Sequence, residues 1–559
     1  VSPTRSGKRA GNATGTGSAK TTPAAAPANP VGEPGSGGDV AAEPAFETFA
    51  KTFAAGTAQV VWTRLVADLE TPVSAYLKLT GGAAGSLSFL LESVEGGSVR
   101  GRYSIIGIEP DLVWRSSGTT AEINDSPALS PDAFTAESLD TLASLRALLA
   151  ASAIDLPEGL PPMAAGVFGY MGYDTIRLVE RLPGGKPDDL GVPDGILMRP
   201  TLIVVFDTVK DEMILVTPVR PDGRQTAQAA YRGAIARLDR VVALLEGPLA
   251  HAAPAPATPF EVHAPVSNTT PGQFLDMVAR AKAFITAGDI FQVVLSQRFS
   301  APFPLPPFAL YRALRRTNPS PFLFFLDLGL FALAGSSPEV LVRVRDGQVT
   351  IRPIAGTAPR GRDEREDQAL ANALLADPKE RSEHLMLLDL GRNDVGRVAD
   401  PGTVEVTEQF VVERYSHVMH IVSNVVGRLD PAHDAVDALM AGFPAGTVSG
   451  APKVRAMEII DELERSKRGP YAGCVGYFSS DGDMDTAIVL RTAVIKDGVV
   501  HVQAGAGVVY DSVPENEQQE CINKAKAVVR AAETAIGIAN GGRKAGAGRR
   551  DDGNGDAFA

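Results

Sequence analysis

The stretch LVRVRDGQVTIRPIAG (341–356) sets Asp346-Gly347 between two runs rich in Val and Ile. Asp-Gly suits the tight two-residue turn that joins antiparallel strands, so these runs are predicted to form a hairpin. The same grammar recurs along the chain. SLSFLLES (86–93), RYSIIGIEP (102–110), MAAGVFGYMGYD (163–174) and TLIVVFDTV (201–209) read as short apolar strands separated by turns, and a helix is predicted over 224–246. Consecutive hairpins interleaved with helices point to an α+β fold with large antiparallel sheets and not to a repeating βαβ pattern.

A Pro/Ala-rich stretch, GPLAHAAPAPATPF (247–260), interrupts this pattern. Residues 247–267 are read as a linker between a first portion, 46–246, and a second, 268–540. Residues 1–45 hold no Leu, Ile, Met or Phe. Such a segment cannot bury enough apolar surface to offset its ordering entropy and is predicted to be disordered. It lacks the amphipathic face of a transit peptide and the apolar core of a secretory signal. The tail 541–559 is read the same way.

The net charge of −13 argues against binding to nucleic acid or to an anionic membrane. The apolar run 321–335 is too short for a bilayer span and contains Asp327, so no transmembrane helix is predicted. Two cysteines, Cys474 and Cys521, make neither a disulfide framework nor a thiolate zinc site, and a reducing, cytoplasmic compartment is expected.

DPKERSEHLMLLDLGRND (377–394) opens with Asp377 as an N-cap, Pro378 at the first helical position and Glu380 three residues after the cap. Glu380 and Glu383 then share a helix face. DSVPENEQQECINKAK (511–526) repeats the device: Ser512 and Glu515 are read as a capping box, Glu517 and Glu520 form a second E-x-x-E pair, and Lys524 follows one turn later. Each pair alone reads as a solvated helix face. Brought together, four carboxylates require a cation, and an all-oxygen set suits Mg²⁺. Sequence spacing leaves their convergence open. HVQAGAGVVYDS (501–512) places Gly505 and Gly507 around Ala506. This is either a backbone anion cradle or a plain tight strand end. Arg491, ending TAIVLR, is either a carboxylate clamp or a surface residue. His417 and His420 read as ordinary, partly buried histidines. GTVSGAPK (446–453) does not have P-loop spacing. GDIFQVVLSQRF (288–299) poses a puzzle, since Gln292 shares a strand face with Ile290 and Val294.

Taken together, PIAGTAPRGR (353–362), SEHLMLLDLGRND (382–394), GTVSGAPK (446–453), YAGCVGYF (471–478), DTAIVLRT (485–492) and QAGAGVVYDSVPENE (503–517) resemble the chorismate-utilising enzymes, and most of all the large-subunit, component I family of anthranilate synthases. The resemblance covers nearly everything from Ala45 to about residue 535. It implies a four-layer α/β/β/α fold with two large antiparallel sheets and an active site in a cleft. It further implies that Glu383 and Glu520 bind Mg²⁺ directly, with Glu380 and Glu517 behind them, and that the metal holds the ring carboxylate of chorismate. Gly505, Ala506, Gly507, Thr447 and Lys524 would contact that carboxylate. Tyr471, Arg491, Gly356 and Thr357 would hold the enolpyruvyl carboxylate. His420 resembles the family histidine near the departing hydroxyl and Glu339, in GSSPEV, the family acid; which of them delivers the proton is left open.

The resemblance also explains Gln292. Family members that add water carry a lysine there, since water needs a general base, whereas ammonia attacks as the free base and an amide suffices. PIAGT, with Ala355, lacks the lysine of aminodeoxychorismate synthases, which disfavours that alternative. A catalytically silent amino-acid-binding regulatory subunit, the other alternative, predicts loss of the metal carboxylates, and all four are present. Neither cysteine sits in a nucleophile turn, so ammonia is expected from glutamine through a separate glutaminase (glutamine amidotransferase) subunit, in a heterotetramer of two large and two small subunits. LLES (90–93) and NPSPFLFF (318–325) resemble the family's L-tryptophan inhibitory site. Glu92 and Ser93 would meet the amino-acid end, with Pro321, Phe322, Leu323, Val475 and Tyr477 around it.

Overall fold

The computed structural model describes residues 41–82, 84–95, 99–249, 258–415 and 418–541. The predicted hairpin forms as Val340–Arg345 and Gln348–Ile351, with Asp346 (φ 50°) and Gly347 (φ 72°) both left-handed in the turn. All pairings between the named strands are antiparallel, and they describe two sheets that share one strand.

The first sheet runs from Gln59–Val66 through Glu212–Val219, Gly195–Asp207, Val99–Ser117, Ser88–Glu95, Phe322–Asp327, Ala332–Ser337, Thr492–Lys496 and Val499–Val508 to Gln292–Pro302. The second leaves the first half of Gly195–Asp207 through Gly166–Met171, Cys474–Ser479, Met484–Ile488, Val340–Arg345 and Gln348–Ile351 to Val418–Arg428, on which Ile354–Pro359 and Glu405–Arg414 also pair. The first and second portions of the sequence are thus joined across both sheets, at Phe322–Asp327 with Ser88–Glu95 and at Cys474–Ser479 with Gly166–Met171.

Period-two burial builds the layers. In Phe322–Asp327, Leu323 and Phe325 pack with the helices Pro307–Thr317 and Pro514–Ala539, while Phe324 and Leu326 join Phe168, Tyr170, Val475 and Tyr477 between the sheets. Gly335 opposes Phe324, whose ring would lie 2.1 Å from a Cβ at that glycine. The helices Pro271–Ala287, Pro378–Gly396, Ala435–Gly442 and Lys453–Leu463 cover the outer face of the second sheet and the end of Gln292–Pro302. The result is the α/β/β/α order expected.

Several local expectations shift. Hydrogen-bonded strand begins at Gln292, with Ile290 and Phe291 before it. The second E-x-x-E helix starts at Pro514 with Val513 as N-cap and no side-chain cap, because the Ser512 hydroxyl accepts instead from the Val509 N–H at 3.0 Å. Ser512 and Glu515 therefore form no capping box. Glu43 exchanges two backbone hydrogen bonds of 2.8 Å with Trp62, so ordered chain begins ahead of Phe46. Near the linker's end, Phe260 and Asn540 bond each other (2.8 and 2.9 Å) and Val266–Ser267 pairs with Phe299–Ser300. Residues 1–40, 250–257 and 542–559, which hold most of both predicted tails and the centre of the linker, lie outside the described residues, as does His417. No helix among the described residues is long and apolar enough to cross a membrane.

A buried ion pair locks two of the covering helices. Lys453 Nζ donates to Asp394 Oδ2 at 2.8 Å, and the two residues are 9% and 4% exposed. Lys453→Met leaves Asp394 buried and unpaired and is expected to cost about 3–5 kcal/mol, read as a lower denaturant midpoint. Adding Asp394→Leu should recover much of the loss, because the pair's desolvation cost goes with its charges.

Candidate functional site

Two helix starts bring the acidic pairs to one cleft. Asp377 caps Pro378–Gly396 by accepting from the Lys379 and Glu380 N–H groups at 2.8 and 3.2 Å. The cap therefore needs nothing from the Glu380 carboxylate, whose Oε2 lies 3.1 Å from where a Cβ on Gly356 would stand. Burial pushes the Glu383 carboxyl above its ordinary range, Glu380 adds to the push, and Glu520 on the other helix contributes as well. Glu517 is raised by burial and by Glu520. The Lys379 ammonium acts on both Glu383 and Glu517, so the two helix starts face one another.

Glu520 pairs with Lys524 at 2.7 Å, and the same ammonium donates to the Gly505 carbonyl at 2.9 Å. Among the described residues no three His, Cys, Asp or Glu side chains gather closely enough to form a metal centre as they stand. The chemistry of the donors nonetheless fits a hard divalent cation: all four are carboxylates, and Glu383 and Glu517 are raised by burial and by their acidic neighbours, a push that an added cation relieves.

Gln292 sits against this cluster. It is 4% exposed, its Nε2 donates toward Glu383 Oε1 at 3.5 Å, and its Oε1 has no partner among the described residues. The glycines of QAGAG make room for it. Gly507 pairs with Val294, and a Cβ there would stand 2.5 Å from the Gln292 Nε2; a Cβ on Gly505 would stand 2.8 Å from the Tyr471 hydroxyl.

Arg491 lies between the strands Met484–Ile488 and Thr492–Lys496 in a left-handed conformation, φ 47°, costly for a residue with a side chain. Burial alone pulls its guanidinium below the usual range, and no carboxylate among the described residues pairs with it. Arg468 is the contrast. More deeply buried than Arg491, it is clamped by Glu464 at 2.6 and 3.0 Å, so its charge is already compensated. A partly buried guanidinium without a carboxylate partner is poised for an anionic ligand.

Close to Arg491, His420 Nδ1 donates to the Gly356 carbonyl at 3.0 Å and lies 3.2 Å from the Thr357 hydroxyl. Gly356 is held at φ 72° in a bulge of Ile354–Pro359 that turns its carbonyl to the ring. Burial pulls the imidazole's pKa down, and Arg491 works in the same direction. Glu339 is 6% exposed, and the Thr447 hydroxyl donates to its carboxylate at 3.1 Å, which engages Thr447 with the acid. Burial raises Glu339 to about 8, so it carries its proton at neutral pH.

Elsewhere, a cavity of about 700 Å³ is lined by all the residues expected at a regulatory site: Glu92, Ser93, Pro321, Phe322, Leu323, Val475 and Tyr477. Their polar groups are engaged. Glu92 accepts from the Tyr311 hydroxyl (2.5 Å) and from Arg315 Nε and Nη2 (2.6 and 2.8 Å), and the Ser93 hydroxyl donates to the Tyr103 carbonyl at 3.0 Å. Sequence reasoning missed Tyr311 and Arg315. On their helix they read only as an apolar and a last-turn basic position, and nothing local marks their partner.

The chain matches the family described as chorismate binding enzyme over residues 100–530. It is 56% identical over 494 residues to anthranilate synthase component 1 of Cereibacter sphaeroides, covering 88% of this chain and 97% of that one. To the Thermus thermophilus protein of the same name it is 49% identical over 479 residues, 84% and 97% of the two chains. The crystal structure of anthranilate synthase component I from Streptococcus pneumoniae superposes with a TM-score of 0.68 at 39% identity, covering 84% of this chain and 99% of that one.

The raised Glu339 carboxyl makes stability depend on pH. Below about 4.5 the group is protonated folded and unfolded; between 4.5 and about 8 only the folded state keeps the proton, so stability falls as pH rises and levels off above 8. Glu339→Gln, which cannot ionise, is expected to gain stability relative to the parent across that window at up to about 1.4 kcal/mol per pH unit. Denaturant midpoints at pH 5 and pH 9 measure the difference.

Proposed function

The chain belongs to the anthranilate synthase component 1 family of chorismate-binding enzymes, and from this we propose that it converts chorismate and ammonia to anthranilate, pyruvate and water, the reaction that opens tryptophan biosynthesis. The observation that carries the reading is Gln292: an uncharged amide, buried beside Glu383, stands where a water-adding relative needs a base.

The substrate is a dianion. Glu383 and Glu520, with Glu380 and Glu517 behind them, would hold Mg²⁺, which when bound neutralises the ring carboxylate. The glycine strand at Gly505, Ala506 and Gly507 lies beside the cluster, and Lys524 adds positive charge there. Arg491 and Tyr471, with Gly356 and Thr357, take the enolpyruvyl carboxylate, giving the unpaired guanidinium its counter-ion. Loss of the ring hydroxyl as water needs a proton. Glu339 supplies it: burial keeps this carboxyl protonated, whereas burial and Arg491 both disfavour the His420 imidazolium. His420, with Nδ1–H fixed on the Gly356 carbonyl, presents its other nitrogen and orients the departing group. Ammonia forms the C–N bond at the ring carbon next to the carboxylate-bearing one, and loss of pyruvate then aromatises the ring.

Ammonia comes from glutamine through a separate glutaminase subunit, in keeping with relatives named as component 1. Cys474 and Cys521 are buried and their thiols pushed up to about 12, which disqualifies both as glutaminase nucleophiles. The cavity at Ser93 and Phe322 is the seat of L-tryptophan, which inhibits by favouring a less competent arrangement.

The full chain, given chorismate, Mg²⁺ and ammonium at alkaline pH, should form fluorescent anthranilate, but none with glutamine in place of ammonium. A para-amino product, or none, overturns the reading. Gly507→Ala should lower turnover at least about tenfold with the unfolding midpoint nearly unchanged, since the new methyl displaces only the end of Gln292. Ser93→Leu should raise the tryptophan inhibition constant at least about tenfold by removing a polar group and filling the cavity, with the chorismate KM little changed.

A further inference from the structure

The wall between the tryptophan cavity and the catalytic cleft is a single layer of chain. Pro338 and Val340 line the cavity, and Glu339 stands between them with its carboxylate on Thr447. Alternate side chains of extended chain leave on opposite sides, so the acid faces the cleft while its neighbours face the cavity. Arg352, Ile354, Glu413 and Tyr415 close the same cavity.

Three of these form a chain of bonds. Arg352 Nη2 donates to Glu413 Oε1 at 2.6 Å, and the Tyr415 hydroxyl donates to Glu413 Oε2 at 2.7 Å. The chain ends on the cleft: the Tyr415 and His420 rings lie 5.5 Å apart, tilted by 59°. Glu413 is also the cross-strand partner of His420, and the Tyr415 N–H donates to the Val418 carbonyl at 2.8 Å, so the tyrosine is tied into the hairpin that carries the histidine.

We propose that Tyr415 is a positioning residue for His420 and transmits occupancy of the cavity to the catalytic cleft. The transmission rests on the reading of that cavity as the tryptophan site. One side of Tyr415 belongs to the cavity wall and the other packs on the histidine, so the ring cannot move for an occupant without releasing His420. Arg352 and Glu413 hold the seated arrangement. A ligand that prefers the unseated one lowers turnover by the ratio of its two affinities, and by no more.

The test uses the full chain with ammonia as nitrogen donor. Tyr415→Ala should lower kcat about tenfold with the chorismate KM changed less than about twofold, and Tyr415→Phe, which keeps the ring against His420, should stay within about threefold of the parent. Calorimetry should find L-tryptophan bound to Tyr415→Ala within about threefold of the parental affinity, while saturating tryptophan changes its kcat/KM less than about twofold. If the alanine variant fails to fold, Arg352→Met, which removes the anchor of Glu413, is expected to lose inhibition at saturating tryptophan likewise. A Tyr415→Ala enzyme that binds tryptophan and is inhibited as fully as the parent overturns the transmission, and parental kcat in that variant overturns the positioning role. Absence of tryptophan binding to the parent overturns the cavity reading and the transmission with it, while the kcat comparison still decides whether Tyr415 positions His420.

Discussion

The pairing of Gln292–Pro302 with Val499–Val508 sets the geometry on which the candidate site depends. Its register puts Val294 opposite Gly507 and Ser296 opposite Gly505. The missing Cβ atoms leave space that the Gln292 amide and the Tyr471 hydroxyl occupy. A one-residue slip would turn each side chain to the other face and fill the site. The strand Val499–Val508 also leads into the helix that carries Glu517, Glu520 and Lys524, so one ladder fixes the amide and half of the carboxylate cluster.

Burial acts on the charges of the cleft in a consistent sense. It raises Glu339 and Glu383 and depresses Arg491 and His420, in each case disfavouring the charged form. Where a permanent partner exists, as for Arg468 with Glu464 or Lys453 with Asp394, the charge is structural. Where it does not, at Arg491, Glu383 and Glu517, the cost is met only when a ligand of opposite sign arrives. That asymmetry separates a binding site from a salt-bridged core.

The same two sheets that build the cleft build the cavity. The strands Ser88–Glu95 and Phe322–Asp327 belong to the first sheet, and Cys474–Ser479 to the second, and the cavity opens among them. The sheets share Gly195–Asp207 and enclose one apolar layer, whose close packing resists displacement of any single side chain.

Local interactions were legible in the sequence. The Asp346-Gly347 turn and the Asp377 cap with Pro378 are decided within a few residues, and each is present. Ser512 shows where that reading fails: its hydroxyl had two local uses, and the Val509 N–H took it from the helix cap. The family motifs named candidate residues for the cleft and cavity but not their partners. That Glu92 is held by Arg315, that Thr447 serves Glu339, and that Arg491 has no counter-ion among the described residues while Arg468 has one are matters of through-space pairing between distant segments. By itself, the sequence determined the elements, the layer order and the chemical kinds of group available. Only the tertiary structure decided which charges are compensated, because desolvation and Coulomb energy depend on distance and burial and not on position along the chain.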